Sequence, residues 1–230
     1  MFDLSIIILE LNTENLLRDC LKSLAECDLN TPESPYSMEV IVADNGSTDG
    51  SAKMIKSDFH WAKLKENGQN LGFAKGNNAA IPLASGRYVL FLNSDTKVLP
   101  DSLTKMIKFM DQNPKVGLAG FEVQLFIGGL DPDSHRGFPT PWASLCYFLG
   151  LEKLFPKSKI FGQYHLTWED LSKPHEIDCI CAAFTLRRVA AEELASDKYK
   201  WWDEDFFFYG EDLDFCYRMK EAGWQVWYYP

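Results

Sequence analysis

Along the first half of the chain, continuous apolar runs alternate with stretches whose apolar residues return at helical spacing. Ser5 to Leu9 (SIIIL) is apolar without alternation, as a strand covered on both faces must be. Asn12 reads as a helix cap, because Leu16, Leu17, Cys20, Leu21 and Leu24 then recur every three or four positions. Met38 to Ala43 is a second buried strand, closed by the turn-rich Asp44 to Ser51 (DNGSTDGS). A short helix through Met54 and Ile55 and a strand near Ala62 to Lys65 follow. Asn70 to Asn78 (NLGFAKGNN) opens a helix that runs to about Ala84, and Gly86 ends it. Arg87 to Leu92 (RYVLFL) is the fourth strand, Pro100 to Asp111 a helix with proline at its start, and Val116 to Phe121 another strand.

Such alternation with short connections predicts an α/β fold, a mostly parallel central sheet with helices on both faces. Ligands of such sheets bind beyond the carboxyl ends of the strands. Attention therefore falls on the loops Glu10 to Asn12, Asp44 to Gly50 and Asn93 to Thr96. From Gly128 to Pro174 no period persists, and irregular structure with short helices is expected over the sheet. The reading is one domain over 1–230, its first part (1–120) carrying the ligand loops and its second (121–230) the acidic segment described below.

Composition narrows the classes. Hydrophobic residues make up 46% of the 230, enough for a large core, and the net charge is −10. That charge argues against nucleic acid as the main partner and against simple electrostatic attachment to anionic lipid. The six cysteines lack CxxC spacing and the four histidines form no HxxxH, so no zinc site is expected. No charged leader with an apolar core opens the chain, and a cytoplasmic protein is the expectation. There is no glycine in ELNTEN after the first strand and no GxxxxGK[ST] anywhere, which excludes the dinucleotide fingerprint and the P-loop.

Three clusters carry candidate chemistry. Asn93, Ser94 and Asp95 follow the fourth strand, where a carboxylate can meet a hard divalent cation bridging to a diphosphate, or merely cap a turn. Asp44 stands at the end of the second strand, placed to accept a hydrogen bond from a base or ribose, or to shape an Asx turn. Asp203, Glu204, Asp205, Glu211, Asp212 and Asp214 crowd into twelve residues around Phe206 to Tyr209. Gly210 then breaks the run, and Glu211 to Ala222 reads as a helix with acids in its first turn. Asp212 shares a face with Phe215, Cys216 and Met219 and is expected to point inward, where a carboxylate suits a general base.

Taken together and in order, SIIILELN, VIVADNGSTDGS, NLGFAKGNN, YVLFLNSDT, IDCICAAFTLRR and WWDEDFFFYGEDLDFCYRMKEAGWQVWYYP resemble the inverting glycosyltransferases of family 2, especially the rhamnosyltransferase-like branch. The resemblance implies the GT-A nucleotide-diphospho-sugar transferase fold, a nucleotide-diphospho-sugar donor, Mg²⁺ or Mn²⁺, and a glycan or lipid-linked glycan acceptor. It implies that Asp44 contacts the base, that Glu10 and Asn12 line its pocket, that Asn77 and Asn93 lie near the donor, and that Asp95 binds the metal. It makes Asp212 the base with Glu211 beside it. The metal motif reads Asn93-Ser94-Asp95, with one carboxylate, and the sequence stops at Pro230, short of the position at which the family supplies a metal-binding histidine.

A non-catalytic nucleotide-sugar-binding module is the alternative; a sugar-nucleotide pyrophosphorylase would need a basic, glycine-rich loop where ELNTEN stands. Trp142 to Phe155 is rich in aromatic and aliphatic residues, compatible with peripheral association with a membrane or a lipid-linked acceptor. Packed core or a homodimer face is the commoner explanation of such a stripe. Arg136, just before Gly137 to Pro141 (GFPTP), either faces the active-site cleft or, as the commoner explanation, is a surface loop arginine.

Overall fold

The computed structural model describes residues 2–31, 34–190 and 201–230. Its strands are β1 (Leu4–Glu10), β2 (Met38–Asp44), β3 (Lys63–Glu66), β4 (Tyr88–Asn93), β5 (Val116–Phe121), β6 (His175–Glu176), β7 (Phe184–Arg188) and β8 (Gln225–Tyr229). The α-helices are α1 (Glu14–Ala25), α2 (Ser51–Asp58), α3 (Phe73–Asn78), α4 (Ser102–Gln112), α5 (Pro141–Phe148), α6 (Leu151–Leu154) and α7 (Glu211–Glu221).

All strands join one sheet in the order β3-β2-β1-β4-β7-β5-β8-β6. β3, β2, β1 and β4 are mutually parallel, as the alternation predicts. β7 then enters antiparallel between β4 and β5, while β8 runs parallel to β5. The two halves of the chain therefore share one sheet, stitched where β4 meets β7.

The pleat sorts β1 between two cores. Ile6 and Ile8 pack with Leu17, Leu21, Met106 and Ile107 on the face of α1 and α4. Ile7 packs on the other face with Phe73, Trp202 and Phe215 beneath α3 and α7. Both faces are buried, which explains why β1, β2 and β4 read as unbroken apolar runs.

Several boundaries differ from the sequence reading. α1 begins at Glu14 with Thr13 at its cap, because Asn12 adopts φ 55° and turns its side chain toward the neighbouring loop. The helix expected from Asn70 to Ala84 is only α3 followed by a 3₁₀ turn at Ile81–Leu83, since Pro82 supplies no N–H to continue it. β8 went unread as a strand, its residues being aromatic rather than regularly alternating.

Candidate active site

The register aligns Glu10 with Asp44 and Leu9 with Asn93, so the three candidate loops leave neighbouring strands at one edge of the sheet. α7 joins that edge by topology. β8 runs parallel to β5, a tight turn in which Trp224 N–H donates to the Met219 carbonyl (3.0 Å) returns the chain into β8, and the N-terminus of α7 is thereby directed to the carboxyl edge.

Glu10 is fully buried. Its carboxylate accepts from Thr13 N–H (2.7 Å), from Ser51 Oγ (2.8 Å) and from the Thr13 hydroxyl. It ties the starts of α1 and α2 together beneath the loops. The Thr13 hydroxyl in turn lies 2.8 Å from Ser94 Oγ, joining this brace to Asn93-Ser94-Asp95. Asn12 is exposed; its Oδ1 accepts from Thr48 N–H (2.7 Å) and its N–H donates to Ser47 Oγ (2.9 Å). Asp44 accepts from Ser47 N–H (2.9 Å), the Asx turn that its neighbours predict, and is only 4% exposed.

Asn93 N–H donates to the Ala183 carbonyl (3.0 Å), fixing the loop against the start of β7. Asp95 is exposed and makes no hydrogen bond or ion pair among the described residues. Asn77 is buried and donates to the Phe73 carbonyl (3.0 Å) within α3, so its amide supports the helix.

The acidic segment docks on α3. Phe73 N–H donates to the Phe207 carbonyl (2.8 Å), and Asn78 Nδ2 donates to the Trp202 carbonyl (2.8 Å). Gly72 is required there: at φ 82° a Cβ would stand 2.6 Å from the Phe207 carbonyl oxygen. Trp202 anchors the segment by packing edge-on against Phe91 and Phe73 and tilted against Phe215. Phe207, Phe208 and Tyr209 stay exposed.

Asp212, in the first turn of α7, pairs with Arg136 at 2.5 Å, and its other oxygen accepts from Leu213 N–H (2.8 Å). Arg136 is no surface arginine: its side chain is 12% exposed, and Nε is buried with no hydrogen-bond partner. Burial opposes its charge, but Cys179, Asp212 and Asp133 together outweigh that cost and hold the guanidinium protonated. Its backbone N–H donates to the Cys179 carbonyl (3.2 Å), which connects it to the segment leading to Ala183 and Asn93. Glu211 is 5% exposed, with one oxygen unpartnered; burial, reinforced by the charge of Asp212, raises its pKa.

Among the described residues no cluster of three or more His, Cys, Asp or Glu could hold a metal by itself. Asp95, a bare carboxylate at a strand end, nevertheless fits a hard cation whose remaining ligands come from a diphosphate and water. Thr13, Asn45 and Asn78 were missed from sequence. Asn45 accepts from Asn67 Nδ2 (2.9 Å) and donates to the Gly72 carbonyl (3.1 Å), and its place beside Asp44 in a turn-rich run was the available signal.

The model of the family "Glycosyl transferase family 2" matches residues 5–194. The rhamnosyltransferase WbbL of Escherichia coli is 29% identical over 226 residues, covering 92% of this chain and 76% of its own length. The uncharacterised glycosyltransferase YfnE of Bacillus subtilis is 36% identical over 121 residues, or 50% of this chain, and the chain spans only 29% of that relative's length. The mannosyltransferase PcManGT from Pyrobaculum calidifontis, solved in complex with GDP-Man and Mn²⁺, superposes with a TM-score of 0.64 at 17% identity, over 98% of this chain and 54% of its own. The chain belongs to glycosyl transferase family 2 and has the GT-A arrangement of sheet and helices.

Proposed function

We propose that this domain moves a sugar from a nucleotide-diphospho-sugar to an acceptor hydroxyl with inversion, in the synthesis of a cell-surface polysaccharide or other glycan. The observation that carries the reading is Asp212 held by Arg136 at the start of α7, whose N-terminus is directed to the sheet edge that bears Asp44 and Asp95. The donor's base would sit against the loops of Asn12 and Asp44, with Glu10 bracing them from below. Asn77 and Asn93 would border the diphosphate and sugar, Asn77 through the helix start that it stabilises.

Asp212 would accept the proton of the attacking hydroxyl while that oxygen approaches the anomeric carbon opposite the diphosphate, through a transition state of oxocarbenium character. Arg136 fixes the carboxylate's direction, and the positive end of α7 favours its charge. Glu211, turned into the core, supports the helix start. Mg²⁺ or Mn²⁺ at Asp95 would neutralise charge developing on the leaving diphosphate. The acceptor is a glycan hydroxyl, free or lipid-linked, and the enzyme works in the cytoplasm, peripheral to its membrane face. The GDP-Man and Mn²⁺ held by the mannosyltransferase neighbour support the donor class and the metal.

The test is a thermal-shift panel with Mn²⁺ using UDP-glucose, UDP-N-acetylglucosamine, GDP-mannose and a nucleoside-diphospho-6-deoxyhexose, followed by release of sugar from whichever donor stabilises the fold. Stabilisation with turnover is the expected result. Stabilisation without transfer or hydrolysis would instead identify a binding module, and no stabilisation by any donor would sink the reading.

A further inference from the structure

α5 is amphipathic in the wrong direction for a core helix. Its small residues Ala143 and Cys146 face inward and are fully buried, while Trp142, Leu145 and Phe148 project outward, Phe148 being 81% exposed. Of the two commoner explanations, packed core or a homodimer face, this exposure overturns the first. The apolar surface continues beyond the helix: Phe161 contacts the rings of both Trp142 (6.3 Å) and Phe155 (5.2 Å), and Leu149 and Leu154 are 62% and 69% exposed. The backing is firm, because Glu152 is buried and pairs with His165 (2.9 Å), and Tyr147 stacks on Tyr164.

The charge of this segment departs from that of the chain. The whole sequence carries −10, but residues 137–168 hold a single acid, the buried Glu152, against Lys153, Lys157 and Lys159, all exposed. An apolar face edged by Lys153 and Lys157, with Lys159 at the rim of a cleft that it shares with Glu169, Glu176 and Asp178, complements an anionic bilayer surface: the rings and aliphatic side chains enter the headgroup boundary while the ammonium groups remain among phosphates. Among the described residues no helix is long and apolar enough to cross a membrane. The face is also close to the chemistry along the chain, since α5 is capped by Thr140, four residues after Arg136, and Phe138 packs edge-on against Tyr217 of α7.

We propose that the exposed face of α5 and α6, with Lys153, Lys157 and Lys159, docks the domain on an anionic membrane surface and presents the Asp212 end of α7 to an acceptor carried there. The inference rests on the lipid-linked acceptor of the proposed function for its purpose only; the docking can be measured without donor or acceptor.

The experiment is co-sedimentation of the protein, without nucleotide, with vesicles of phosphatidylcholine alone and of phosphatidylcholine with an equal part of phosphatidylglycerol. Binding to the mixed vesicles alone, weakened by salt, is expected. Replacing the three lysines together by Gln should lower the partition coefficient roughly a hundredfold, about fivefold for each charge. Phe148→Ser with Leu149→Ser should lower it at least about tenfold, with circular dichroism melting unchanged because both side chains are largely exposed. Equal partition of parent and variants, or no binding to the mixed vesicles, would overturn the proposal. So would a dimer seen by sedimentation velocity that Phe148→Ser dissociates, which would give the face to a second copy. Failure here with intact donor binding would leave the proposed activity standing, whereas vesicle binding without donor binding would do the reverse.

Discussion

Arg136 and Asp212 lie 76 positions apart in sequence, yet their side chains meet at 2.5 Å, both largely shielded from water. An isolated charge in that setting would carry a desolvation penalty of several kcal/mol, so each group depends on the other. Arg136→Gln should leave donor affinity near the parental value and reduce transfer roughly tenfold to a hundredfold, because the carboxylate would lose its direction. Steady-state kinetics with calorimetric donor titration checks this. A loss confined to donor binding would instead assign Arg136 to the diphosphate.

Asp95 should govern the metal dependence. If it holds the cation, calorimetry should show Mn²⁺ strengthening donor binding in the parent and having little effect in Asp95→Asn. Equal affinity with and without Mn²⁺ in the parent would remove Asp95 from that role.

Glu10 tests whether a carboxylate suspected of recognition is a structural brace. Glu10→Gln places an amide NH₂ against hydroxyl and N–H donors from Thr13 and Ser51. It should lower unfolding free energy by about 2 kcal/mol in urea titration, with little change in which nucleotide base is preferred.

His135 gives the fold a pH dependence above the carboxylate range. It is 3% exposed, its Nε2 lies 2.5 Å from that of His175, and its Nδ1 lies 3.0 Å from the His165 carbonyl oxygen. Burial first, and then the neighbouring His175, pushes its pKa down to about 4. The unfolded chain therefore takes up a proton as pH falls below about 6.5, while the folded chain does so only near 4. Stability should fall through that interval, by about 3 kcal/mol at most. His135→Asn should flatten this slope in urea melts between pH 7.5 and 5. Glu39 contributes separately at lower pH: against the cost of burial, hydrogen bonds from Lys63, Ser5 and Ser85 hold it at about 2, and its contribution fades as pH falls from about 4.5.

The parallel half of the sheet was legible because strands covered on both faces cannot avoid long apolar runs, as β1 and β4 illustrate. The places of Asp44, Asp95 and Asp212 in the fold were legible because each follows a recognisable punctuation, a strand end or a glycine before a helix. What stayed hidden depends on distant contacts. The insertion of β7 between β4 and β5 is a pairing choice that no local period records. Arg136 could be read either as cleft-facing or as a surface loop residue because its partner comes from another element, and α5 looked irregular because its large apolar residues point away from the core. The bracing contacts of Glu10 stayed hidden for a similar reason: a carboxylate at a strand end suits a ligand, and only the folded positions of Thr13 and Ser51 show that its oxygens accept from them.

The most direct test of the account is sugar transfer by Asp212→Asn compared with the parent, with donor binding measured on both by calorimetry. The account predicts undiminished donor affinity and a turnover lower by about 10²- to 10⁴-fold, the usual cost of removing a positioned general base. Transfer at the parental rate would contradict it.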